Sequence, residues 1–189
     1  NTTANPFHTQ LGDANALLGD DVTASESVTY IQRLGDVDVA LAYGRDKEQS
    51  HSPIVKGALV SYKHHGWFGM IGGQQESQRY LNGRMALGYH SLSHQLALIY
   101  QQERDLRANP LPVSKTVLVN GVYAFGNWSS KAQLGRKQDG SPHATQLLAV
   151  GADYQINKHL RATIEHSVMR DKDGTAHLNN GSLLGTQVN

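Results

Sequence analysis

The chain has 189 residues, 39% of them hydrophobic, and a formal charge of +1 with acidic and basic residues dispersed. It contains no cysteine, which excludes disulfides and thiolate metal sites. The near-neutral charge gives no electrostatic reason to expect a nucleic-acid partner, and no apolar run approaches the ~18–20 residues of a membrane-spanning helix. A β-barrel needs no such run, because its strands alternate between lipid and lumen.

A repeat of extended segments begins after residue 25. The segments are rich in β-branched and aromatic residues, and none shows a sustained apolar period of 3.6 residues. In chain order, strands are predicted at 26–33, 36–45, 55–63, 67–75, 81–90, 94–103, 114–125, 128–137, 144–155 and 159–169. At about ten residues each, they exceed the ~5–6 residues of strands in soluble domains and could cross a bilayer when tilted.

Two kinds of connection alternate strictly between these segments. Short turns are predicted at 34–35, 64–66, 91–93, 126–127 and 156–158. The longer connections, at 46–54, 76–80, 104–113 and 138–143, are rich in charge, Ser, Pro and Gly, as solvated loops should be. This alternation predicts an all-β fold, an antiparallel meander with every short turn at one end.

Side chains alternate along the predicted strands with a period of two. Leu148, Val150 and Tyr154 share one face of a strand, for example, while Ala149 and Asp153 lie on the other. The second face is small or polar in most strands, although 67–75 and 114–125 carry apolar residues on both faces. A polar second face suits a wet lumen better than a packed core.

Aromatic residues recur at the strand ends. Tyr30, Tyr62, Tyr89, Tyr123 and Tyr154 each precede a short turn, Trp67, Phe125 and Trp128 flank turns, and Tyr43 and Tyr100 lie toward the loop ends. Tyr is also simply a good strand residue. Its repeated position relative to the turns favours two interfacial girdles of a membrane barrel.

The ordered set of segments resembles the Gram-negative general porins. The resemblance rests on Gly19-Asp20-Asp21 before 26–30, on 37–44, on the hairpin built from 151–154 and 160–168, and on the tail 171–189. It implies an outer-membrane location, contact with the lipid bilayer and lipopolysaccharide, and a homotrimer. It also implies that about ten strands are present of sixteen, from the third, inward-folded loop to just before the closing strand. A native ten-stranded barrel is the alternative.

The resemblance divides one barrel domain, 1–189, into three parts. Residues 1–25 would be the end of the constriction loop, 26–169 the hairpin-repeat strands and 170–189 the last external loop. Asp13, Asp20 and Asp21 would then supply carboxylates to the narrowest part of a pore, or they are ordinary loop charges.

Strand parity places further charges on the lumen face, opposite the constriction loop. These pore-lining candidates are Arg33, Arg84, Lys131, Arg161 and Glu165. Mid-strand charges facing lipid would cost about 2–4 kcal/mol each, which favours the lumen for Arg84 and Arg161. Opposed charges across a pore set its ion preference.

No motif predicts catalysis or a cofactor. The ten histidines lack the spacing and companion ligands of a zinc site, and neither a nucleophile elbow nor a phosphate-binding loop is present. We therefore expect no enzyme, metal or cofactor, and predict passive diffusion of small polar solutes and ions. The alternative is a barrel that acts as a surface receptor, adhesin or hydrolase through its external loops.

Overall fold

The structure, a computed structural model, describes residues 26–45, 53–77, 79–107, 113–140, 144–158, 160–171 and 173–186, with only the backbone described for 177–186. The predicted loop at 1–25, with Asp13, Asp20 and Asp21, lies outside the described residues. No helix long and apolar enough to cross a membrane occurs in the described part of the chain.

The described residues form one antiparallel sheet in which every strand pairs with its neighbours in sequence. Its strands are β1 (Glu26–Leu34), β2 (Val37–Arg45), β3 (Ile54–His64), β4 (Trp67–Glu76), β5 (Tyr80–His90), β6 (His94–Asp105), β7 (Val113–Phe125), β8 (Trp128–Gln138), β9 (Thr145–Asn157), β10 (Leu160–Arg170) and β11 (Ala176–Thr186). The predicted all-β meander is confirmed, and the ten predicted strand bounds differ from the observed ones by at most a few residues.

The eleventh strand was not predicted. Residues 176–186, expected to belong to the last external loop, pair with β10 from Leu160↔Thr186 to Arg170↔Ala176. The Asn and Gly residues of this segment weaken its strand signal, but the free edge of β10 supplies backbone hydrogen bonds that override the local preference. The described sheet therefore has eleven strands, with β1 and β11 at its opposite edges.

A tight turn joins β10 to β11. Gly174 N donates to Asp171 O at 2.9 Å, Asp171 N to Thr175 O at 2.8 Å, and Thr175 N to the Asp173 carboxylate at 2.9 Å. Gly174 has a φ of +87°, a conformation that glycine adopts without penalty. The dipeptide Asp173-Gly174 is a strong hairpin signal that could have identified this turn from sequence.

The short turns have the conformations that connect twisted strands. Gly35 and Gly126 occupy the first position of two-residue turns with φ near +60°, and His65-Gly66 has positive φ at both positions. Such turns match the right-handed twist of the flanking strands. The strict alternation of short and long connections also fails between β4 and β5, which are separated by residues 77–79 alone. At this connection Ile54 N donates a hydrogen bond to Ser77 Oγ at 2.9 Å.

The sheet has two unlike faces. We define the inner face as the face that carries the buried side chains, among them Ala97, Gln101, Leu118 and Ala149. The outer face carries exposed large apolar side chains: Val28, Leu41, Val60, Ile71, Met85, Leu87, Leu96, Leu98, Val117, Val119, Leu134, Leu148, Val150 and Ile164. We define the turn end of the sheet as the end with residues 35–36, 65–66, 91–93, 126–127 and 158. The loop end is the opposite end, where the other connections between consecutive strands lie.

Candidate functional site: the inner face

Strand register places every described candidate residue on the inner face. Arg84 lies directly opposite Gln101, which is fully buried. Lys131 lies opposite Gly151, which in turn lies opposite Glu165. Arg161 and Arg33 lie at the turn end, opposite Gln155 and Asp38 respectively. These five candidates thus share one face, where Lys131 and Glu165 contact each other and the three arginines lie apart from that pair.

Lys131, Asp153 and Glu165 form a buried ionic cluster. Lys131 Nζ lies 2.8 Å from Glu165 Oε1 and 3.2 Å from Asp153 Oδ1, and the three side chains are 3%, 7% and 13% exposed for Lys131, Glu165 and Asp153. Thr163 Oγ1 donates to Asp153 Oδ1 at 2.7 Å. One ammonium therefore faces two carboxylates, which leaves the cluster negative when all three groups are charged.

Gly151 makes this cluster possible. It lies on β9 between Lys131 of β8 and Glu165 of β10. A Cβ at this position would lie 2.8 Å from Lys131 Cε, 3.1 Å from Ile164 O and 3.3 Å from Glu165 Cγ. Because Gly151 has no side chain, Lys131 of β8 and Glu165 of β10 have room to form an ion pair across β9.

A second polar chain crosses the loop half of the inner face. Arg84 Nε donates to Gln101 Oε1 at 2.6 Å, the Gln101 amide donates to Glu103, and Lys137 Nζ lies 3.3 Å from Glu103 Oε2. The chain spans β5 to β8, and Thr116, a small residue of β7, lies between Gln101 and Lys137. Glu103 and Lys137 were missed as candidates, although parity with Arg84 in adjacent strands could have found them.

An apolar row separates the two polar chains. Its residues are Met70, Ala86, Ile99, Leu118, Leu147 and Met169, which face one another across β4 to β10. The expectation of a small or polar second face is therefore wrong at Ile99, Leu147 and Met169. Met70 and Leu118 lie on the two strands for which apolar residues were expected on both faces. The reason is that residues opposed on adjacent strands pack side by side, so a matched apolar row is stable even on a polar face.

Two further ion pairs among the described residues lie at the two ends of the sheet. Arg33 Nε donates to Asp38 Oδ1 at 2.8 Å at the turn end. Arg107, just beyond β6 at the loop end, donates to both carboxylate oxygens of Asp105 at 3.1 Å. The side-chain hydrogen bond with Asp105 raises the pKa of Arg107 above its ordinary value, so this guanidinium stays charged.

The outer face shows the aromatic girdle predicted for the turn end. Trp67 and Tyr89 have ring centroids 5.2 Å apart, and Trp128 and Tyr154 lie 4.7 Å apart. Tyr123 extends this row between His94, at 4.8 Å, and Phe125. Toward the loop end the described outer face carries Tyr43 and Tyr100, as expected, among side chains that are mostly Lys, Arg and Gln.

No metal site is apparent in the described part of the chain, where no three His, Asp or Glu residues come together in the manner of a metal-binding group. The histidine contacts are local instead. His64 Nδ1 lies 2.6 Å from Asp36 Oδ2, and His94 Nδ1 lies 2.7 Å from Ser93 Oγ, both beside short turns.

Comparison with known proteins identifies the fold. No protein-family profile and no curated protein matches the chain. Among solved structures, the anion-selective porin from Comamonas acidovorans aligns with a TM-score of 0.69 at 15% identity, covering 86% of this chain and 55% of that one. A porin refined at 1.8 Å aligns with a TM-score of 0.71 at 10% identity, covering 93% and 69%.

A loop L8 deletion mutant of OmpT, an outer membrane protein of Vibrio cholerae, also aligns, with a TM-score of 0.62 at 14% identity over 85% of this chain and 62% of that one. The chain thus spans 55% and 62% of the length of the Comamonas and Vibrio proteins. At these identities the likeness establishes a porin-like β-barrel fold.

Proposed function

We propose that the chain is part of a passive diffusion channel for small hydrophilic solutes and ions in the outer membrane of a Gram-negative bacterium. The division of the sheet into two unlike faces carries this proposal. The inner face holds positively charged, negatively charged and amide side chains, which are linked by ion pairs and hydrogen bonds. The middle of the outer face is apolar. A barrel wall with a polar inner face and an apolar outer face can separate an aqueous lumen from the surrounding lipid.

The dimensions of the strands suit a membrane. The described strands have 9 to 13 residues, and ten residues at ~3.4 Å each, tilted by ~45°, rise about 24 Å. That height matches the ~25 Å apolar band of outer-membrane barrels. Antiparallel pairing on both sides also satisfies the backbone hydrogen-bonding groups of each strand from β2 to β10. A hydrocarbon environment requires this, because it offers no water to the backbone.

The solved structures that share the fold support a channel, because several of those proteins are porins and one of them is an anion-selective porin. By the same resemblance, we propose a homotrimer. In this proposal Arg84, Lys137 and Glu103 line the water-filled side and bias the passage of ions, since charges in a narrow aqueous path set its selectivity. Chemistry by a cofactor has no part in it.

Single-channel conductance tests the proposal. The full-length gene product, refolded in detergent and added to a planar lipid bilayer, should show stepwise, long-lived openings whose conductance rises roughly in proportion to salt. Closure in three equal steps would support the trimer. A barrel that inserts, as judged by protease protection, and passes no current would contradict the channel and favour a surface receptor, adhesin or hydrolase that acts through the loop end.

A further inference from the structure

The inner face carries a hollow over β2 to β5, with a volume of about 330 Å³. Small residues at inner positions of three consecutive strands form its floor: Ala40, Ala42, Gly57 and Gly72. At Gly57 an added Cβ would meet its nearest atom only at 3.6 Å, so this position is open toward the hollow. A volume at the lower end of the ~300–1,000 Å³ range of ligand sites suits a small solute.

The side chains that border the hollow separate by polarity. Leu59 and Met70, on β3 and β4, are apolar. The polar side chains, on β4 and β5, are Gln74, Asn82 and Arg84. A solute that contacts both sides must therefore be amphiphilic, with its polar groups at one end.

Asn82 supplies a hydrogen-bond acceptor to the hollow. It is 5% exposed, and its Oδ1 accepts no hydrogen bond from the described residues. A buried carbonyl oxygen without a donor is costly, so a ligand that donates to it gains binding energy. Glu103, which also contacts Lys137, lies directly opposite Asn82, and its negative charge favours a positively charged donor at this position.

Arg84 supplies the complementary charge. It lies two residues after Asn82 on the same face of β5, and its Nε donates to Gln101 Oε1 at 2.6 Å, which orients the guanidinium. A guanidinium binds carboxylates with strong, charge-assisted hydrogen bonds. Alternate residues of a strand are ~7 Å apart, a separation that the ammonium and carboxylate of one α-amino acid can span with a hydrogen bond at each end.

We propose that this hollow binds an apolar α-amino acid in its zwitterionic form as a solute of the channel. The ammonium donates to Asn82 Oδ1, the carboxylate accepts from Arg84, and the apolar side chain lies over Gly57 against Leu59. Binding is weak, in the millimolar range, because a solute that passes a channel must also leave its site. The inference rests on the proposed channel and deepens it by naming a class of solute.

The chain offers matched variants for a test. Asn82→Leu removes the acceptor, and Thr116→Val is its control, because Thr116 Oγ1 is also buried without a hydrogen-bond partner among the described residues but lies two strands away. Gly57→Leu fills the hollow from the inner face. Gly83→Leu adds the same side chain to the outer face, where a Cβ meets no atom within 4 Å.

A second pair of variants tests the charge. Arg84→Gln removes the guanidinium that borders the hollow. Arg161→Gln removes an inner-face arginine at the turn end, opposite Gln155, and controls for the loss of one positive charge from the lumen. Folding of every variant is verified by heat-modifiable gel migration.

Binding of L-phenylalanine to the full-length protein in detergent would be measured by saturation-transfer difference NMR. The comparison ligands are 3-phenylpropionate, which lacks the ammonium, and L-alanine, which lacks the ring. We expect both to bind about tenfold more weakly than L-phenylalanine. Each variant at the hollow should weaken L-phenylalanine binding about tenfold, and each control should change it less than about twofold.

No saturable binding of L-phenylalanine, equal affinity for 3-phenylpropionate, or equal losses for a variant and its control would overturn the site. Conductance of the same samples separates this outcome from the proposed function. Saturable binding without current would leave the site standing and the channel refuted, whereas current without saturable binding would refute the site alone.

Discussion

Lys131 of β8 and Glu165 of β10 form an ion pair of 2.8 Å, although β9 lies between their strands. The pair passes over Gly151, whose missing side chain leaves room for both. Because the two side chains are 3% and 7% exposed, neither charge has ready access to bulk water, and each depends on the other.

We predict that Lys131→Met destabilises the barrel by about 3–5 kcal/mol, because it leaves Asp153 and Glu165 as neighbouring buried carboxylates without a cation. The measurement is the free energy of unfolding in urea, in detergent micelles. Lys137→Met is the control, since Lys137 is 25% exposed in its pair with Glu103, and it should cost about 1 kcal/mol or less. Equal costs for the two variants would contradict the importance of the buried cluster.

Gly151→Val should disturb the same pair without removing a charge. A Cβ at Gly151 already approaches Lys131 Cε to 2.8 Å, so the larger side chain must push Lys131 away from Glu165. We expect a loss of about 1–3 kcal/mol in the free energy of unfolding. In the background of Lys131→Met the same substitution should cost clearly less, and additive losses in this double-mutant cycle would argue against steric separation of the pair.

Charge reversal on the inner face should alter ion selectivity. Two unit charges at ~10 Å in water interact by about 0.4 kcal/mol, so Arg84→Glu changes the local ion energy by about 0.8 kcal/mol before screening. With screening, we expect the cation-to-anion permeability ratio to rise by about 1.5- to fourfold. Reversal potentials in a salt gradient measure it, and Arg136→Glu on the outer face should leave them unchanged. A shift of equal size in both variants would place Arg84 outside the aqueous path.

The turn between β3 and β4 should require glycine. Gly66 has a φ of +85°, and a Cβ there would collide with the carbonyl oxygen of His90, whose amide donates to Gly66 O at 2.7 Å. We predict that Gly66→Ala lowers the free energy of unfolding by about 1–3 kcal/mol. Gly83→Ala, with no atom within 4 Å of the new Cβ, should be neutral within about 0.5 kcal/mol. Unfolding midpoints of the two variants provide the comparison.

Both tryptophans of the chain, Trp67 and Trp128, lie at the turn end of the outer face. If the turn end lies at the membrane interface, phospholipids brominated near the headgroup should quench their fluorescence more than those brominated near the chain ends. Trp67→Phe, which leaves Trp128 alone, should give the same depth profile. Stronger quenching from the chain ends would contradict the girdle and the orientation of the sheet.

The sequence alone predicted most strands, the short turns and the two faces. These features are local, because a period of two assigns alternate residues to opposite faces and turn residues such as Gly35 and Gly126 mark the chain reversals. Arg33, Arg84, Lys131, Arg161 and Glu165 were therefore assigned to one face by parity. Asp13, Asp20 and Asp21 stay predictions, since they lie outside the described residues.

Tertiary structure decided which side chains meet. The pairing of Lys131 with Glu165 depends on the registers of β8, β9 and β10 together. The contact of Lys137 with Glu103 likewise depends on the registers of β6, β7 and β8. The strand of 176–186 likewise depends on the edge of β10. Each of these contacts joins residues from separate strands, so it depends on the register between the strands. That register is set by the hydrogen-bonded ladder and by side-chain packing between strands, which the local periodicity of the sequence does not specify.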